Sequence, residues 1–139
     1  MLNDKPQVLL VDDDRDIISG AAVRLRACGY QTLMAFDGEQ GVNAALEHRP
    51  DAIVLDVRMP RMDGLAALSM LSECEETRRI PIIMLSASVV DQQAALDAGA
   101  RFFLTKPYQG KNLVTALHTA IHETLSYHGD SGPCPSPMS

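Results

Sequence analysis

Two apolar periods alternate along the chain. Short runs at 8–11 (VLLV), 52–55 (AIVL), 80–85 (IPIIML) and 102–104 (FFL) read as strands buried on both faces, and the more mixed 31–36 (QTLMAF) reads as an edge strand. The segments between them carry helical spacing. Ile17, Ile18, Ala21, Leu25 and Cys28 form one stripe, which Gly29 ends in the C′ position. Asp37 is placed to cap a second helix carrying Val42, Ala45 and Leu46, with Gln40 in capping-box position. Leu65, Leu68 and Leu71 mark a third helix, after a turn shaped by Asp63 and Gly64. Val90, Ala94, Ala95 and Ala98 mark a fourth, closed by Gly99, and Leu113, Val114, Leu117, Ile121 and Leu125 a fifth. Strand–helix alternation repeated five times predicts an α/β fold, a parallel sheet with helices on both faces.

Length changes this picture little: 139 residues, 46% of them hydrophobic, suit one domain with a real core. From about Tyr127 the chain reads YHGDSGPCPSPMS, which predicts a disordered tail or the start of a linker over 127–139 beyond a domain at 6–126. Charge excludes more. A net −6 argues against direct nucleic-acid binding, which needs clustered Lys and Arg. The apolar runs are far too short to span a membrane, and MLNDKPQ has neither the basic start nor the apolar stretch of a secretory signal. Cys28, Cys74 and Cys134 are odd in number and share no CxxC spacing, so reduced thiols in a cytoplasmic protein are expected.

The chemistry lies where the apolar runs stop. LLVDDDRD (9–16) passes from three apolar residues straight into Asp12, Asp13 and Asp14. Asp56 ends the third strand, Ser86 follows the fourth, and Lys106 follows the fifth. Ligands of open α/β sheets bind at the carboxyl ends of the strands, so these polar groups converge on one rim. Two unit charges about 4 Å apart repel by roughly 1 kcal/mol in water and several-fold more near a protein surface. Asp12, Asp13 and Asp56 therefore need a cation among them, and an all-oxygen donor set suits Mg²⁺. One carboxylate could then attack a phosphoryl group, with Lys106 and the Ser86 hydroxyl stabilising its oxygens. Asp14 is assigned to the helix start, where a carboxylate favours the dipole.

At these residues the chain resembles a response-regulator receiver domain of two-component signalling, over about residues 6 to 126. VDDD resembles the family's acidic pair, VLDVRMPRMDG its phosphoacceptor segment, MLSAS its hydroxyl-bearing strand end, and AGARFFLTKP the stretch closing on its lysine and proline. The resemblance implies a flavodoxin-like, doubly wound (βα)5 sheet with strand order 2-1-3-4-5. It implies that Asp56 is phosphorylated by a histidine kinase or phosphotransfer protein, with Mg²⁺ held by Asp12, Asp13, Asp56 and the Arg58 carbonyl. It implies a cis Lys106–Pro107 bond and a switch aromatic at Phe103. The face formed by the fourth helix, fifth strand and fifth helix (Val89, Val90, Phe103, Lys111, His118) is then expected to dimerise or dock an effector. Phe102 points the other way by strand alternation and is expected to pack in the core.

Other readings compete. A haloacid-dehalogenase-like phosphatase also uses a strand-end Asp and Mg²⁺, but needs a second Asp two residues on, where Arg58 stands. A flavodoxin-like flavin carrier would want a Ser/Thr/Gly-rich phosphate loop in place of the aspartates. A receiver reduced to a scaffold would not keep Asp12, Asp13, Asp56, Ser86 and Lys106 together. The expectation is a phosphoacceptor switch that is no enzyme beyond phosphoryl transfer to, and hydrolysis from, its own aspartate. It acts either alone or as a module cut from a longer regulator. Met59 and Met62 are expected to be loop packing, and His48, His118, His122 and His128 solvated helix positions.

Overall fold

The computed structural model describes residues 5–59 and 61–129, with no side-chain description for 124–129. Five strands, β1 (Gln7–Val11), β2 (Gln31–Ala35), β3 (Ala52–Asp56), β4 (Ile82–Ser86) and β5 (Phe102–Thr105), alternate with five helices. The helices are α1 (Arg15–Ala27), α2 (Gly38–His48), α3 (Gly64–Glu73), α4 (Asp91–Asp97) and α5 (Gly110–Gly129). All strand pairings are parallel and the order is β2-β1-β3-β4-β5, so connections reverse direction between β1 and β3. This is the parallel sheet with helices on both faces that the alternating pattern predicts, in the doubly wound order that the resemblance implies.

Strand alternation divides the core. Leu9, Val11, Ile53, Leu55, Ile82 and Met84 face α2, α3 and α4. Val8, Leu10, Val54, Ile83 and Leu85 face α1 and α5, meeting Leu25, Leu113 and Leu117. Burial on both faces explains why the central strands read as unbroken apolar runs.

The helix starts are set by aspartates. Asp14 accepts from the Asp16 and Ile17 N–H groups, Asp37 from Gln40 and Asp63 from Ala66. Gln40 completes the second cap through the Phe36 N–H, one residue before the N-cap. Gly29 (φ 96°) and Gly99 (φ 116°) follow α1 and α4 in the left-handed region, where side chains are disfavoured.

Several elements differ from the sequence pattern. The buried stripe of α1 is Ile18, Ala22 and Leu25, while Ile17 and Cys28 are exposed. This i, i+4, i+7 row is turned by about one residue from the expected one. Leu46 also remains partly exposed. β4 begins after Pro81, which has no N–H to give a ladder. α4 is only seven residues long and buries Asp91 and Ala95, with Val90 and Ala94 outside its contact face. The backbone ladder carries α5 through Gly129, into the segment expected to be tail. Residues 130–139 of that expectation lie outside the described residues, as does the side chain of Leu125.

Candidate functional site

The topology brings four of the sequence-marked groups together. Hydrogen bonds beyond the strand ends fix the rim: Asp12 N–H donates to the Ala35 carbonyl, Val57 N–H to Leu85 and Lys106 N–H to Ser86. Asp12 and Asp56 are buried, and Asp13 is exposed. One carboxylate oxygen from each of the three lies within 4.8 Å of the others. Lys106 reaches into this group, its Nζ 2.8 Å from Asp56 Oδ1 and 3.1 Å from Asp12 Oδ2. The other oxygen of Asp12 accepts the Asp14 N–H at 3.0 Å.

Burial pushes the Asp56 carboxyl up to about 6; the Lys106 hydrogen bond opposes this, and the Asp12 charge adds to it. Burial also works against charge on Lys106, but the hydrogen bond and charge of Asp56, aided by Asp12, outweigh it and hold the amine above its ordinary value. The site is thus an over-supplied set of carboxylates held by one lysine.

The loop after β3 passes very close to the helix that follows it. A side chain at Gly64 would strike the Asp56 carbonyl and the Val57 backbone, and Gly64 N–H donates to the Val57 carbonyl at 2.7 Å. Glycine here lets α3 start directly behind the acid. Met59 and Met62 are half-buried against the α2–α3–α4 side of the core, as plain packing. Arg58 sends its side chain away from the acids, with Nη2 3.3 Å from Asp91 Oδ1. The Lys106–Pro107 peptide bond is cis. Beside Lys106, a groove between α1 and the start of α5 is lined by Asp16, Ile17, Arg24, Pro107 and Tyr108.

Ser86 is buried at the end of β4, but its hydroxyl is engaged outside the group of Asp12, Asp13 and Asp56. It donates to Asp91 Oδ2 at 2.6 Å and accepts the Ser88 N–H at 3.1 Å. Asp91 is the site neighbour that motif reasoning missed. Its only sequence signal is a lone acid five residues after Ser86, in a stretch with no other charged residue until Asp97. Phe103 and Phe102 are half-buried on opposite faces, Phe103 toward α2–α4 and Phe102 toward α1 and α5. His118 and His122 are exposed on α5 with ring centroids 4.4 Å apart.

A doubly wound sheet whose central strands deliver acids, with a lysine from the fifth, defines the class of flavodoxin-like domains with an acidic pocket at the carboxyl rim. More narrowly, the chain belongs to the response regulator receiver domain family, whose model matches residues 8–118. The transcriptional regulatory protein PrrA of Mycobacterium tuberculosis is 41% identical over 84% of this chain and 50% of its own length. The DNA-binding dual master transcriptional regulator RpaA of Synechocystis is 32% identical over 86% of this chain and 50% of its own. The chain therefore spans about half the length of these curated relatives. Among solved structures, the receiver domain of sensor histidine kinase PA1611 from Pseudomonas aeruginosa, with magnesium coordinated in its active-site cleft, superposes with a TM-score of 0.80. That protein is 34% identical, and the match covers 86% of this chain and 99% of that one. The receiver domain of Francisella response regulator 1452 gives a TM-score of 0.80 at 30% identity, over 86% and 99% of the two chains. The phosphatase alternative is not favoured. Position 58, where that chemistry wants a general acid, holds an arginine paired with Asp91.

Proposed function

We propose that Asp56 is the phosphoacceptor of a signalling switch, taking its phosphoryl group from a histidine kinase or phosphotransfer protein. The observation that carries this is the buried Asp56 carboxylate at the end of β3, 2.8 Å from Lys106 Nζ and grouped with Asp12 and Asp13. An Asp56 oxygen attacks phosphorus, the donor's N–P bond breaks, and the displaced electron pair stays on the histidine nitrogen. Lys106 stabilises the phosphoryl oxygens as a point charge, and Ser86 donates its hydroxyl proton to one of them. Hydrolysis of the acyl phosphate later returns Asp56 and inorganic phosphate, so catalysis is confined to the protein's own aspartate.

The all-oxygen donor set fits Mg²⁺: Asp12, Asp13 and Asp56 would hold the ion, together with the Arg58 carbonyl. Such an ion would supply neutralising charge for the incoming phosphoryl group. The groove beside Lys106 gives the donor an open approach. Phe103 is the aromatic that relays the change, and the face of α4, β5 and α5 is where a second copy or an effector docks. The working compartment is the cytoplasm, where the kinase's phosphohistidine is displayed. No helix among the described residues is long and apolar enough to cross a membrane. Relatives named as transcriptional regulators suggest an output on DNA, exerted by the whole protein; this acidic chain passes on the signal by protein contact.

Incubation with Mg²⁺ and acetyl phosphate is expected to add one phosphoryl group by intact mass, and Asp56→Asn to abolish it. Equal uptake by that variant would refute the assignment. Asp13→Ala is expected to weaken Mg²⁺ binding at least tenfold, roughly the loss of one carboxylate ligand. An unchanged Mg²⁺ titration would remove Asp13 from the ligand set.

A further inference from the structure

Ser86 has one hydroxyl proton, and a hydroxyl can donate only once. In this structure that proton belongs to Asp91, through a 2.6 Å bond between two buried side chains. Resting on the phosphoacceptor reading, we propose that Asp91 is a positioning residue that competes with the phosphoryl group on Asp56 for the Ser86 hydroxyl. It holds Ser86 back in the unphosphorylated protein and frees the start of α4 when it loses.

Three further observations support a latch over simple helix capping. Arg58 Nη2 lies 3.3 Å from both Asp91 oxygens, so a guanidinium stands beside the acceptor of the Ser86 bond. Arg58 is otherwise largely exposed, so it can follow Asp91 into solvent. Ser86 Oγ also accepts the Ser88 N–H, and Ser88 Oγ accepts the Val90 N–H at 3.2 Å, so the loop from 87 to 90 hangs from the same hydroxyl. Finally, α4 has no side-chain N-cap bond, and only Asp91 and Ala95 of its seven residues are buried. The Asp91–Ser86 bond is thus a main side-chain anchor of its first turn.

When Ser86 turns to a phosphoryl oxygen, Asp91 is left buried without its closest donor, an unfavourable state that is relieved by moving the first turn of α4 outward. The exposed Val89 and Val90 move with it. Coupling of this kind is reciprocal: removing Asp91 must favour the phosphoryl state by as much as Asp91 opposed it.

The test is titration with beryllofluoride, a phosphoryl analogue, in the presence of Mg²⁺. Asp91→Ala is expected to bind about tenfold tighter than wild type, the size of one charge-assisted hydrogen bond. In a Ser86→Ala background the same change should make no difference. Asp91→Asn keeps the shape and a weaker acceptor, and should give a gain of about threefold. Amide exchange over 91–97 should rise in wild type on binding, and already be fast in Asp91→Ala without ligand. A merely structural role for Asp91 would weaken binding or change both backgrounds equally. Either result, or unchanged affinity in whichever Asp91 variant folds, overturns the proposal. Wild-type protein that takes up no beryllofluoride would overturn the phosphoacceptor reading itself.

Discussion

The two halves of the carboxyl rim are built to different standards. At β1 and β3 the strands are buried on both faces, and Asp12 and Asp56 stand at their ends clamped by Lys106, the residue that follows β5. At the other half, β5 is a half-buried edge strand, α4 is short and thinly anchored, and Val89 and Val90 face solvent. The difference follows the chemistry. Like charges within a few ångströms of one another stay in register only on rigid elements. A segment that must respond to a few new hydrogen bonds has to be only weakly stabilised where it is.

Core truncation breaks this comparison most directly. Leu55→Ala, in the fully buried centre of β3, is expected to cost about 2–5 kcal/mol, whereas Leu104→Ala in half-buried β5 should cost about 1–2 kcal/mol. Urea midpoints measure both, and equal losses would mean that the edge is as tightly built as the centre. A smaller effect on stability, with a larger one on signalling, is expected from the paired phenylalanines. Phe102→Ala and Phe103→Ala should each cost about 1–2 kcal/mol, since each ring is half-buried. Only Phe103→Ala should abolish phosphorylation-dependent association, because Phe103 faces the α4 side and Phe102 the α1 and α5 side. Size-exclusion of both variants after phosphorylation decides it. An intact response in Phe103→Ala, or its loss in folded Phe102→Ala alone, would end the switch assignment.

The same contrast governs how much could be read from the chain. Asp12, Asp56, Ser86 and Lys106 were legible because each closes an apolar run, and a strand end in a parallel sheet has a fixed place in space. Asp14, Asp37 and Asp63 were legible as caps because capping is local. Asp91 was not. Its importance comes from Ser86 and Arg58, which approach it only after β3 and β4 pair. The stripe of α4 misled for a related reason: Val90 and Ala94 keep helical spacing, but the sheet edge covers too little of the helix to use them. The end of α2 carried no glycine signal, since Arg49 takes the left-handed position (φ 47°) that a glycine would have marked, just before Pro50.

The smallest expected effect concerns what the rigid half gives up in stability to hold its charges. In the folded protein the Asp56 carboxyl titrates at about 6, against an ordinary value of 3.8, chiefly because burial disfavours its charged form. A raised carboxyl means that the folded state binds this proton more tightly than the unfolded one. Its contribution to stability is therefore fully present below about pH 4 and is lost as pH rises through 6. At pH 7.5 in chelator, ionised Asp56 is thus a net burden on the fold. Replacing Asp56 also takes from Lys106 its closest partner, which leaves a net gain of about 1 kcal/mol. Asp56→Asn should consequently be more stable than wild type by about that amount at pH 7.5, and the gap should close toward pH 4. Mg²⁺ should reverse the ranking by binding folded wild type more tightly than the variant. Urea midpoints at the two pH values, with and without Mg²⁺, provide the check. Equal midpoints for the two proteins at pH 7.5 in chelator would show that Lys106 already compensates Asp56, and that the acidic half of the rim is held without strain.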